Sequence, residues 1–86
     1  MNNIIHDFVK KQDILKDAFI VRGLYLRTGC TELFILECRE WKNQRTTFVF
    51  DFDCGYFVSC KTETNTMEKY LMDIPNADHA EYVSFI

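Results

Sequence analysis

The sequence predicts an α+β fold: a four-stranded antiparallel meander flanked by an N-terminal helix and one or two short C-terminal helices, all in one domain over 1–86. Three observations carry this prediction. Apolar residues recur near a 3.6-residue period from Asn3 to Lys16. β-branched and aromatic residues then dominate from Phe19 to Lys61, cut by three turn-forming stretches. Finally, Pro75 closes a short helical pattern near the end. A chain that is 48% hydrophobic and 15% aromatic lies far from disordered composition, and 86 residues leave room for one modest core.

The first helix is expected over about 3–16. Asn3 stands at its cap, Ile4, Ile5, Phe8, Val9 and Leu15 lie on one face, and Lys10, Lys11 and Lys16 fall late, where the helix dipole favours cations. Turn signals at Thr28-Gly29-Cys30, Lys42-Asn43-Gln44-Arg45 and Asp53-Cys54-Gly55 divide the middle into strands at about 19–27, 32–41, 46–52 and 56–61. The last two form a hairpin in which a three-residue 53–55 loop pairs Phe52 with Tyr56, Phe50 with Val58 and Phe48 with Cys60 on the core face. A loop at 43–45 extends that face to Phe34, Leu36 and Cys38, with Glu37, Arg39 and Trp41 opposite.

A tight Gly29-Cys30 turn then places Phe19, Val21 and Tyr25 on the core and pairs Arg22 with Glu37 behind it. Leu24, Leu26, Leu33 and Ile35 gather on the second face. Four contiguous aliphatic residues are too many to leave in water, so either the second helix or a partner must cover them; a homodimer through this face is one reading. That second helix is capped by Thr64 or Thr66 and stopped by Pro75. For the end of the chain, Asp78-x-x-Glu81 suggests a helical turn while Tyr82-Val83-Ser84-Phe85-Ile86 reads equally as a strand.

The net charge is −3, with residues 1–61 nearly balanced and 62–86 carrying Lys69 against Glu63, Glu68, Asp73, Asp78 and Glu81. No basic patch marks a nucleic-acid contact. There is no secretory signal at the N-terminus and no apolar run of membrane-spanning length. The expected location is the cytoplasm, where the four cysteines remain thiols.

No residue spacing points to catalysis, and the chain is read as a non-enzyme without cofactor. Cys30, Cys38, Cys54 and Cys60 lack the paired spacing of a zinc site, and His6 and His79 sit at opposite ends. Cys54 at a hairpin tip lies beside Asp51 and Asp53, which raise a thiol's pKa and oppose nucleophilic use. The two aspartates have no third carboxylate or glycine-rich loop beside them, and their simplest use is to keep an apolar hairpin soluble or to meet a basic surface. Tyr25, Trp41 and Phe57 near Arg22 and Arg39 have the composition of a protein-binding hot spot.

These residues lead to a non-catalytic protein-binding module that occludes a partner. Its contacts would be Tyr25, Trp41 and Phe57, with Glu37, Asp51 and Asp53 steering a basic protein surface. Inhibitor and immunity-type regulators encoded by phage or mobile elements have this size and composition, an association of class only. The alternatives are an acidic nucleic-acid mimic that blocks a DNA- or RNA-binding enzyme through residues 62–86, and a homo-oligomeric structural subunit.

Overall fold

The computed structural model describes residues 2–62 and 65–86. Helix α1 (Asn2–Lys10) opens the chain, and a 3-10 turn at Asp13–Leu15 leads into β1 (Phe19–Thr28). Next come β2 (Thr31–Trp41), β3 (Gln44–Asp51), β4 (Tyr56–Lys61), helix α2 (Thr66–Leu71), a 3-10 turn at Ile74–Asn76 and β5 (His79–Ser84). Among the described residues the strands form one antiparallel sheet in the order β4-β3-β2-β1-β5. The meander is present as expected, but the sheet has a fifth strand. The segment that sequence left between helix and strand is β5, because β1 offers a free edge whose backbone groups need partners.

The tight turns follow local chemistry. Gly29 (φ 60°) and Gly55 (φ 76°) occupy left-handed backbone, which costs glycine little. Lys42 and Asn43, at φ 51° and 65°, make a two-residue turn that pairs Trp41 with Gln44. This turn lies earlier than the 43–45 loop expected from composition. Helix α1 ends at Lys10, short of the expected 16, because Gln12 is extended and the chain must fold back to bury Leu15. Asn3 lies inside that helix, and Thr66 is buried in the first turn of α2; Thr64 lies outside the described residues. Pro75 sits in the second 3-10 turn, beyond the end of α2.

Three irregularities in the ladders decide which side chains face which way. An extra residue in one strand reverses the facing of every residue beyond it. In β1 the register shifts between Phe19, Ile20 and Arg22, so Ile20 lies opposite Cys38 in the core, where unbroken register would set Val21, and Phe19 is left 46% exposed. In β2 it shifts between Cys38 and Trp41, which turns Trp41 onto the face of Phe48, ring centroids 5.1 Å apart. In the β3–β4 hairpin it shifts at Val49/Phe50, so Asp51 pairs with Tyr56 and Phe50 with Phe57. Phe57 thereby joins the aromatic core, while Val58 is displaced to the surface.

The sheet is covered on both faces. On one, α1 and the following turn lay Ile5, Phe8 and Leu15 over Tyr25, Phe34, Leu36, Phe48 and Phe50. Phe8 is the hub, with ring centroids 4.7 to 6.3 Å from those of Phe34, Phe50, Phe52 and Phe57. Gly23 leaves room here, since a Cβ would come 3.2 Å from Leu36 Cδ2 and 3.3 Å from Phe85 Cε1. On the other face, Met67, Tyr70, Leu71 and Ile74 cover Leu24, Leu26, Leu33, Ile35 and Val49. The Cα radius of gyration is 12.0 Å, against about 12 Å expected for a compact chain of this length. No helix of the described residues is long and apolar enough to cross a membrane.

Because Phe8 fastens α1 to four rings at once, Phe8→Ala should lower unfolding free energy by about 3 kcal/mol. Urea denaturation followed by tryptophan fluorescence measures it, since Trp41 packs in the adjoining cluster.

Candidate functional site

The chain crosses from α1 into β1 at one end of the molecule, and this passage shapes a groove of about 540 Å³. Leu15 and Ile20, both buried, form its floor. Val9, Ala18, Phe19 and Phe85 wall it, and Lys10 and Lys16, both exposed, stand at its rim. Phe19 is open here because the register shifts on both sides of Ile20, which turns inward against Cys38. Arg39 lies over the Phe19 ring, 4.2 Å from the centroid, and holds the ring in place by a cation–π contact. Beside the groove, Ile14 is 44% exposed, and its carbonyl accepts a hydrogen bond from Trp41 Nε1 at 2.9 Å. Lys42 Nζ stands 4.5 Å from the Trp41 ring centroid. Asp13, Asp17 and Glu40 are acidic residues of the same segments, so the apolar wall is bordered by charges of both signs.

A smaller cavity of about 330 Å³ opens at the other end, between Leu26 and Leu33 below and Tyr70, Asp73 and Asn76 above. It has no cationic lining.

Most residues proposed from sequence as partner contacts lie elsewhere. Tyr25 is buried, and its hydroxyl donates to Glu32. Burial, followed by that hydrogen bond, pushes its pKa up to about 12. Glu37 is buried in a bidentate pair with Arg22, both contacts at 3.1 Å. Asp51 shapes the hairpin turn, its Oδ1 accepting from the Asp53 N–H at 2.8 Å and the Cys54 N–H at 3.4 Å. Trp41 and Phe57 are half-buried in the aromatic core, and of the six only Asp53 is exposed. The residues proposed for self-association are Leu24, Leu26, Leu33 and Ile35. They lie beneath α2, with Leu24 1% and Ile35 0% exposed, so the chain itself supplies the cover that these side chains require.

The Arg22–Glu37 pair foreseen from sequence is the centre of a larger network. Arg22 also holds Glu68 of α2. One guanidinium therefore ties β1, β2 and α2 together. Glu37 and the other carboxylates keep Arg22 firmly protonated, and Arg22 holds the Glu68 carboxyl below its ordinary range. Of the thiols, Cys38 is fully buried and pushed up to about 12, chiefly by burial, while Cys30, Cys54 and Cys60 are exposed.

The groove residues Lys10, Lys16, Phe19 and Phe85 come from separate parts of the chain, so no linear spacing announces them. The only sequence sign is the unbroken apolar run Ala18-Phe19-Ile20-Val21, too long for simple alternation in a one-sided strand. Comparison of the chain with protein-family models, with curated proteins and with solved structures finds no match.

Three measurements check the charged network and the thiols. Arg22→Ala leaves Glu37 buried without its partner and should cost about 3 kcal/mol. A carboxylate with a depressed folded-state pKa contributes stability above its unfolded pKa and loses it as pH falls through the folded value. Glu68→Gln should therefore flatten the loss of stability on acidification below about pH 4.5, the ordinary value for this group. For the thiols, a colorimetric disulfide reagent should titrate Cys30, Cys54 and Cys60 quickly in the native protein, and Cys38 only after unfolding.

Proposed function

We propose that the chain is a non-catalytic protein-binding module that occludes its partner, and that the end of the molecule around Phe19 is its contact surface. The supporting observation is the open groove of about 540 Å³ with Phe19 and Ile14 exposed beside it and Lys10 and Lys16 at its rim. Protein interfaces gain most from an aromatic anchor in an apolar pocket surrounded by a charged rim, and this end offers that combination. The partner segment that fits carries an apolar side chain for the groove and carboxylates for the lysines. This reading replaces the basic partner surface expected from Glu37, Asp51 and Asp53, since Glu37 is committed to Arg22 and Asp51 to its own turn. An inhibitor or immunity-type regulator of mobile-element origin remains the class of protein in which such a module works by occlusion alone.

The nucleic-acid mimic has less behind it. Of the acidic residues of 62–86, Glu68 is held by Arg22, and Asp78 Oδ2 accepts the Gly29 N–H at 2.7 Å, which reduces the free negative charge available to imitate phosphate.

The test is affinity capture from the native host followed by calorimetry with the purified partner. Lys10→Glu combined with Lys16→Glu should weaken binding at least tenfold, and Phe19→Ser should do the same. Asp51→Asn with Asp53→Asn should leave it unchanged. If the aspartate pair proves decisive and the lysines do not, the contact surface is the β3–β4 turn and the proposal fails.

A further inference from the structure

The sheet ends in two edges, β4 and β5. Edge backbone is a template for another strand, and proteins blunt it with bulges, lysine or proline. Strand β4 carries two such features, an irregularity opposite Val49/Phe50 and Lys61 at its end. Strand β5 carries neither, and it pairs with β1 in unbroken register from Arg22↔Ser84 to Arg27↔His79.

The direction of its free backbone groups follows from one bond. The Phe85 N–H donates to the Val21 carbonyl at 2.8 Å, so by the alternation of an antiparallel ladder Val83 and Glu81 also turn toward β1. Ala80, Tyr82 and Ser84 turn their N–H and C=O groups away from the sheet. Tyr82, the middle one, is 51% exposed.

We propose that β5 pairs antiparallel with β5 of a second copy of this chain, about a twofold axis through Tyr82, which joins the two sheets into one. Antiparallel pairing sets outward residues against outward residues, and only an axis at Tyr82 engages all three. Tyr82 then faces Tyr82 of the second copy, and Ala80 faces Ser84. Between them Glu81 lies opposite Val83 and His79 opposite Phe85, so no charged side chain directly opposes a like charge. The paired tyrosines supply the cross-strand aromatic contact that stabilises such ladders. One repulsion remains. The two Glu81 carboxylates lie diagonally across the axis at roughly 7–8 Å, each 3.3 Å from His79 of its own chain.

Sedimentation equilibrium of the full chain over a wide concentration range tests the proposal, with circular dichroism to confirm folding. The wild type should show a monomer–dimer equilibrium. Tyr82→Lys sets two ammonium groups face to face and should weaken the dimer at least tenfold. Glu81→Gln removes the diagonal repulsion and should tighten it. Val58→Lys, on the exposed part of β4, should change nothing. A chain that stays monomeric to millimolar concentration overturns the proposal. So does a dimer that responds to Val58→Lys and not to the two β5 variants. The groove around Phe19 takes no part in this test, so its outcome is separate from that of the partner-binding proposal.

Discussion

The fold rests on one constraint: the central strands are apolar on both faces. Strands alternate their side chains across a sheet, so Tyr25, Phe34 and Phe48 on one side and Leu24, Ile35 and Val49 on the other each need a cover. Each such side chain gains about 1.5–3 kcal/mol when removed from water. The covers are helices of nine and six residues, too short to persist alone. Neither layer is stable without the other. The sheet holds the helices in place, and the helices make a two-faced sheet compatible with water.

The polar interior obeys the same constraint. Arg22, in the central part of β1, lies on the face covered by α2, where an unpaired charge would be costly. Two carboxylates from different elements meet it, and among the described residues no buried side-chain nitrogen or oxygen lacks a partner. This network fixes the position of α2 over the sheet more specifically than Met67 and Leu71 could, because apolar contacts tolerate sliding and directed hydrogen bonds do not.

Much of this was legible in the sequence, and the reasons for the rest are physical. The Thr28–Thr31 turn set the β1–β2 register correctly, and with it the Arg22–Glu37 pair and the Leu24, Leu26, Leu33, Ile35 face. Reading inward and outward positions by twos then fails beyond any bulge. That is why Trp41 and Phe57, expected to meet a partner, pack in the aromatic core, and why Phe19, expected in the core, reaches solvent. A bulge is chosen by the fit of the whole core and leaves little local trace. Strand β5 escaped because a short apolar run does not declare its conformation, and the deciding factor, the open edge of β1, lies about fifty residues away in sequence. The groove was hidden for the same reason, assembled from the end of α1, the start of β1 and Phe85.

That separation also orders the sheet in time. The β1–β2, β2–β3 and β3–β4 ladders close through short turns, whereas β1–β5 must bring together ends separated by the whole meander and α2. On a logarithmic scale of loop closure, fifty residues cost about 3 kcal/mol more than the two of the Gly29–Cys30 turn. The last ladder therefore forms only when the layers beneath it are in place to reward it, and it is the first whose loss the remaining sheet can survive. Strand β5 acts as the late-closing seam of the molecule, fastened to the rest along its ladder with β1.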